Sequence, residues 1–228
     1  MNIPPGFFDL PEEFVHVLWL NIAEHLDWLE AGLATLDPVE RDRAARYLNP
    51  WHGQRYACTR GLLRSLLGRF LGCPPAGIEF GYGPCGKPRL AAAEKLNFNL
   101  AHSGDWVALG FSRERRIGID LESVAGCHDC LAVARQCFSP RELAVLEQAS
   151  NTAQRFCSVW VRKEAVVKAA GLGLDSLQAF CALDPVVALR DERGIPIQWH
   201  LSEIPMAAGY AMALATEGGP VRNASFRL

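Results

Sequence analysis

Two short stretches concentrate residues able to do chemistry. In Ile117-Gly118-Ile119-Asp120-Leu121-Glu122, apolar and acidic residues alternate. On a β-strand, Ile117, Ile119 and Leu121 face one side, while Asp120 and Glu122 face the other. At a rise of about 3.3 Å per residue the two carboxylates stand roughly 7 Å apart at Cα, so both can approach one small hard cation. Mg2+ takes one or two carboxylates and completes its shell with water and substrate phosphates. Taken alone, the hexapeptide also fits a half-exposed strand with solvated acids. The second stretch is Trp160-Val161-Arg162-Lys163-Glu164-Ala165-Val166-Val167-Lys168. On a helix, Phe156, Val159, Trp160, Val167 and Ala170 form an apolar stripe, with Glu164 and Lys168 one turn apart at its edge. As an ordinary ion pair at that spacing they would contribute only about 0.2–0.5 kcal/mol. Lys163 falls inside the stripe, where an unpaired ammonium is costly, so an anion is expected close to it.

Three weaker sets accompany these. Phe98-Asn99-Leu100-Ala101-His102-Ser103-Gly104 places His102 and Ser103 at a strand end before a glycine, where donors can approach a phosphate, although a lone histidine also fits a structural role. Lys87 follows Gly86 in a loop and is either solvated or functional. Arg41, Arg43, Arg46, Arg55, Arg60 and Arg64, interleaved with Glu40 and Asp42, read as a charged helix face. Of the eight cysteines, Cys127 and Cys130 bracket His128 and Asp129. A structural zinc site needs a second such pair or spaced histidines, and none follows, so plain thiols are expected.

The elements that must hold these residues can be read from periodicity and caps. Residues 14–20 form a strand pattern. Asp37-Pro38-Val39-Glu40 carries a cap, a first-turn proline and a capping-box glutamate. A second helix spans 49–71 with Leu62, Leu63, Leu66, Leu67 and Phe70 on one face. Residues 72–88 are broken by Gly and Pro. Strands are expected at 96–100, 107–111 and 117–122. Ser139-Pro140-Arg141-Glu142 repeats the capped start, and a long helix runs over 151–170 to Gly171. The tail holds three strand candidates, at 179–189, 195–201 and 209–216. The pattern is α+β, with two similarly built halves meeting near residue 113.

At 228 residues and 50% hydrophobic composition the chain can bury a substantial core, and disorder is not expected. A net charge of −2 gives no overall field for nucleic acid or an anionic membrane. No apolar run approaches a membrane span, and the N-terminus lacks a signal pattern, so a cytoplasmic protein is expected. Without a GxxxxGK[ST] or GxGxxG loop, a magnesium-dependent phosphotransferase acting on nucleotides is disfavoured.

The ordered set GKP, FNLAHSG, GIDLE, FSPRE and WVRKEAVVKAAGLGL, over about residues 37 to 175, resembles the surfactin-type 4′-phosphopantetheinyl transferases in their WxxKEA variant. The pairing of GID-x-E with W-x-x-K-E-A-x-x-K is specific to that family. The resemblance implies transfer of phosphopantetheine from coenzyme A to a serine of an apo acyl or peptidyl carrier protein, with Mg2+ at the site. It implies that Asp120, Glu122 and Glu164 hold the metal and that Lys87, His102 and Lys168 meet the coenzyme A phosphates. Arg43 and Arg46 would serve the adenosine 3′-phosphate, Lys163 an anion of the same ligand, and Glu164 the serine proton. It also implies a monomer of two α/β subdomains, 1–113 and 114–228, related by a pseudo-twofold axis. Two positions depart from the pattern: Ala101 where a serine is common, and Glu40 where a base is common. The competing expectation is a module that binds coenzyme A or a carrier without transfer; it does not require all three acids.

Overall fold

The computed structural model describes every residue except Met1, Asn2, Pro5, Ala93, Glu94 and His128. The first half runs β1 (Phe14–Asn21), α1 (Leu29–Thr35), α2 (Pro38–Ala45), α3 (Pro50–Leu71), a short hairpin of β2 (Phe80–Tyr82) and β3 (Pro88–Leu90), then β4 (Leu96–Ser103) and β5 (Trp106–Arg113). The second half runs β6 (Ile117–Ser123), α4 (Cys130–Cys137), α5 (Pro140–Glu147), α6 (Thr152–Ala170), β7 (Val186–Arg190), β8 (Pro196–Glu203) and β9 (Tyr210–Glu217), with β10 (Arg222–Arg227) at the end.

Each half builds a sheet from its first strand and closing hairpin. The first sheet has the order β10-β1-β5-β4 and the second β6-β9-β8-β7. In the first, β1 pairs antiparallel with β5, which pairs antiparallel with β4; in the second, β6 pairs antiparallel with β9, which pairs antiparallel with β8. The two halves thus repeat one connectivity, as the α+β reading expects.

The alternation of side chains explains the packing. Leu18 and Leu20 of β1 join Val107, Leu109 and Phe111 of β5 beneath Leu62, Leu63, Leu66 and Leu67 of α3. Ala213 and Ala215 of β9 join Trp199 and Leu201 of β8 beneath Val161, Ala165, Val166 and Ala169 of α6. The opposite faces of both sheets close on each other: Val15, Val17 and Ala108 meet Ile117, Ile119, Leu121, Met212 and Leu214. Each sheet is therefore covered on two sides, one by a helix and one by the other sheet.

The capped helix starts form as expected. Asp37 accepts from the Glu40 N–H at 2.8 Å, and Glu40 accepts from the Asp37 N–H at 3.1 Å. Glu142 accepts from the Ser139 N–H at 2.6 Å in the same way. Asn49 and Asn151 cap α3 and α6, and left-handed Gly72 and Gly171 end them.

Several expectations are corrected. The tail holds four strands rather than three, and the first begins at Val186, later than expected. The basic set is not one solvated face. Arg60 and Arg64 are buried: Arg64 Nε donates to Glu40 Oε2 at 2.6 Å, and Arg60 pairs with the other Glu40 oxygen. Glu40, which departs from the family pattern, is thus a structural anchor between α2 and α3. Cys127 and Cys130 stand side by side, with Cα atoms 5.6 Å apart; His128 between them lies outside the described residues.

Candidate active site

β6 is an edge strand, paired with β9 on one side only. Its other edge meets side chains of the first half. Lys87 Nζ donates to the Ile117 carbonyl at 2.9 Å, Asn99 Oδ1 accepts from the Ile119 N–H at 2.8 Å, and Ser103 Oγ accepts from the Ser123 N–H at 2.9 Å. With β6 held this way, Asp120 and Glu122 point away from the apolar core shared by the sheets. At Gly118 the strand lies so close to α6 that an added Cβ would stand 2.0 Å from the Ala165 carbonyl oxygen.

That approach brings α6 side chains onto the carboxylates. Lys168 Nζ donates to Asp120 Oδ1 at 2.6 Å. Asp120 is buried, and its Oδ2 has no hydrogen-bond partner. Glu122 Oε2 accepts from Ser103 Oγ at 2.9 Å. Burial raises the Asp120 pKa against the pull of Lys168. Burial and then the Asp120 charge raise that of Glu122. Glu164 is pushed up to about 7 by burial, with Asp120 adding to the shift. Three acids therefore share one ammonium and are short of positive charge. Among the described residues no three metal-ligating side chains converge as a ready-made cage. The orphaned Asp120 oxygen and the charge deficit are nevertheless what a divalent cation bound by carboxylates would satisfy.

Beside the acids, a cleft of about 330 Å³ opens between the halves. Arg43, Arg55, Arg60, Lys87, His102 and Lys168 line it, together with Tyr47, Tyr56 and Tyr82. The Arg43 guanidinium lies 5.1 Å from the Tyr56 ring centroid. Lys87 is pushed down to about 8 by burial, with Arg116 adding to it. Its ammonium reaches both Ile117 and, at 3.3 Å, the Ala169 carbonyl near the end of α6. His102 keeps an edge open to solvent, yet burial of its ring in the cleft and then the Arg55 charge hold its pKa below the ordinary value. A cationic cleft with aromatic walls, reaching Lys168 beside the carboxylates, suits a phosphorylated nucleotide whose phosphates approach that end.

Asp120, Glu122, Glu164 and Lys168 thus come together, and Arg43, Lys87 and His102 line the adjoining cleft. Two expected residues do not join them. Lys163 is fully buried; its ammonium donates to both Glu142 oxygens, at 3.0 and 2.8 Å, and to the Phe180 carbonyl at 2.7 Å. The anion expected beside it is a protein carboxylate, so its assignment to coenzyme A is corrected. Arg46 lies apart from the cleft. Its side chain is 80% exposed, faces Asp42 at 3.8 Å, and does not line the cleft. Sequence reasoning missed Arg55, Tyr56, Tyr82 and Asn99 as lining residues. Arg55 carried a signal within the basic set, and Asn99 lay inside FNLAHSG. The tyrosines carried none.

Comparison with known proteins decides the family. Residues 116–215 match a model described as the 4'-phosphopantetheinyl transferase superfamily, and 21–113 match one described as 4'-phosphopantetheinyl transferase, N-terminal. The 4'-phosphopantetheinyl transferase HetI of Nostoc is 36% identical over 221 residues, covering 94% of this chain and 92% of that protein. The chain belongs to the 4'-phosphopantetheinyl transferase superfamily. A Bacillus subtilis 4'-phosphopantetheinyl transferase is 31% identical over 73% of this chain and 72% of its own length, and Sfp of Bacillus subtilis strain 168 is 29% identical over 64% of each. The holo-(acyl-carrier-protein) synthase structure from Bacillus anthracis aligns only loosely, at 23% identity and a TM-score of 0.32, over 44% of this chain and 93% of that one.

Within this transferase, Lys163→Ala should lower stability by about 3–5 kcal/mol, because Glu142 is left buried without its countercharge. Urea unfolding reads the loss, and the folded fraction should bind coenzyme A with unchanged Kd. Weakened binding at unchanged stability would restore Lys163 as a ligand.

The lowered pKa of Lys87 makes a second prediction. The folded protein favours the neutral amine, so Lys87 detracts from stability below about pH 8, and the deficit disappears between there and the ordinary lysine pKa. A phosphate ligand favours the ammonium. Affinity for 3′,5′-ADP, which has no thiol to titrate, should therefore fall as pH rises through about 8. Calorimetric titration from neutral to alkaline pH should show this fall in the wild type and a flat profile in Lys87→Met. Parallel profiles would show that Lys87 only braces β6.

Proposed function

We propose that this chain transfers 4′-phosphopantetheine from coenzyme A to a serine of an apo carrier protein, as a surfactin-type member of its superfamily. The observation that carries this reading is the cationic cleft whose wall includes Lys168, bonded to Asp120, whose second oxygen is buried without a partner. Arg43, Lys87, His102 and Lys168 are the residues available to bind coenzyme A phosphates. Asp120, Glu122 and Glu164 would hold Mg2+, which when bound supplies positive charge to the diphosphate oxygens. The serine oxygen bonds to the β-phosphorus as the bond to 3′,5′-ADP breaks, and the ADP departs with the electron pair. Glu164, directly or through a water, takes the serine proton. Lys168, which bonds Asp120 and lines the cleft, would stabilise the charge that grows on the transferring group.

A second cleft, of about 380 Å³, opens on Glu122 and is walled by Ser123, Cys127, Val133, Phe156 and Trp160. It gives the carrier serine a route to the acids that does not cross the cationic cleft. The segment 123–138 beside it presents exposed Leu131 and Val133 with exposed Arg135 on α4, which suits a carrier offering an acidic helix. In this reading the enzyme works as a cytoplasmic monomer. Residues 1–113 supply most of the coenzyme A contacts and 114–228 the acids, without nucleic acid or membrane. Among the described residues, no helix is long and apolar enough to cross a membrane.

The test is intact mass of a panel of apo carriers incubated with coenzyme A and Mg2+. One carrier at least should gain a single phosphopantetheine. Asp120→Ala and Glu164→Ala should each lose about 100-fold or more in turnover while keeping a folded circular dichroism spectrum. If no carrier class gains the arm, the chain is a binding module. If either variant keeps normal turnover, the acids are not the reaction centre.

Docking on α4 has its own measurement. Arg135→Glu should raise the KM for carrier about tenfold, lose that effect at high salt, and leave the KM for coenzyme A unchanged. An unchanged carrier KM would make the segment scaffold.

A further inference from the structure

Ser103 ends β4, one residue beyond His102, and the two side chains leave the strand on opposite sides. His102 lines the cationic cleft, whereas Ser103 turns to the second half. A serine hydroxyl has one hydrogen to give and can accept. Here the Ser123 N–H donates to Oγ at 2.9 Å, so the acceptor side faces the β6 backbone. The single hydrogen is then directed at Glu122 Oε2, also 2.9 Å away.

The serine itself is held firmly. It pairs with Trp106 where β4 turns into β5 through left-handed Gly104. That turn is fastened from three sides. Trp51 Nε1 donates to Asp105 Oδ1 at 3.1 Å, Arg55 Nη1 to the Gly104 carbonyl at 2.6 Å, and the Ile22 N–H to the Asp105 carbonyl at 2.8 Å. A glutamate has three side-chain torsions to lose when it is ordered. Among the described residues Glu122, unlike Asp120, has no ammonium within hydrogen-bonding distance; its side-chain hydrogen bond is to Ser103.

We propose that Ser103 is the positioning residue for Glu122: its hydroxyl fixes that carboxylate toward the divalent cation, and does not bind a coenzyme A phosphate. The inference rests on the function proposed above. It assigns the last polar side chain of FNLAHSG to the metal side of the site and leaves the phosphate side to His102. One strand end would then set both sides of the reaction centre.

The experiment measures Mn2+ binding to the whole protein by electron paramagnetic resonance, alongside kcat and KM for coenzyme A and thermal melting. Ser103→Ala should weaken Mn2+ about 10-fold or more and lower kcat by a similar factor, with the KM for coenzyme A within about twofold of wild type. Ser103→Thr keeps the hydroxyl and should return Mn2+ affinity to within about threefold; Ser103→Val has the same shape without the hydroxyl and should behave like Ser103→Ala. In a Glu122→Gln background, Ser103→Ala should add nothing to the loss of Mn2+. If Ser103→Ala fails to fold, the Thr and Val pair decides. Equal Mn2+ binding in that pair overturns the proposal, and so does failure of both to fold, which would give Ser103 a structural role. A raised KM for coenzyme A with unchanged Mn2+ binding also overturns it, and would place the hydroxyl on a phosphate. A wild type that neither binds Mn2+ nor transfers the arm sinks the reading of the site itself, and this inference with it.

Discussion

The outer edge of β6 governs the rest of the molecule. A buried strand edge must find partners for its N–H and carbonyl groups, and among the described residues no further strand pairs with this one. The first half provides them as side chains: an ammonium to Ile117, an amide oxygen to Ile119 and a hydroxyl to Ser123. Hydrogen bonds of this kind tolerate little sliding, because a one-residue slip would turn Asp120 and Glu122 into the apolar core. Register along β6 is therefore what turns the acids toward α6. Lys87 bonds to both the β6 edge and the last turn of α6 while it lines the cleft. The groups that join the halves are thus also walls of the site.

Electrostatics divides the buried ion pairs into two kinds. Glu142 receives two bonds from Lys163, one from the Ser139 N–H and one from the Ala182 N–H at 2.6 Å, so its charge is fully answered. Asp120 receives one bond from Lys168, and its other oxygen has no partner. Saturated pairs hold structure, and a buried group left short of partners beside a cleft is placed to take a ligand. The same distinction removes Lys163 from the site and keeps Lys168 in it, although both lie on α6.

What the sequence made legible follows the same physics. The acid face of β6, the apolar stripe of α6 and the capped starts of α2 and α5 depend on local periodicity and local caps, so they can be read without a structure. β10 could not be. Arg222, Asn223, Ser225 and Arg227 are polar because the strand is an edge, and Phe226 is its contribution to the core. Its pairing with β1 joins the two ends of the chain, which no local window contains. For Lys163, periodicity locates the residue and its burial implies an anion. The anion's identity stays hidden because Glu142 is already accounted for by its capping box. Asn99 and Ser103 lie within a visible motif, but their partners are backbone groups about 20 residues away in the other half.

The capping-box glutamates also explain why two halves with little residue identity share one design. In each half, a glutamate at the third position of a short helix caps that helix and then neutralises a cation on the long helix that follows. Glu40 serves Arg60 and Arg64, separated by 20 and 24 positions, and Glu142 serves Lys163, separated by 21. The device survives with arginine in one half and lysine in the other, because burial demands a countercharge and not a particular cation. Where the halves differ is the helix-facing side of their opening strands. β1 offers Leu18 and Leu20 to α3 and closes a core, whereas β6 offers Gly118, Asp120 and Glu122 to α6. Gly118 gives up side-chain packing so that strand and helix can touch, and the acids beyond it give up burial in apolar surroundings. The second half can carry that loss because its other sheet face, through Ile117, Ile119 and Leu121, is packed against the first half. The cluster of unsatisfied charge thus leans on the packing between the two halves.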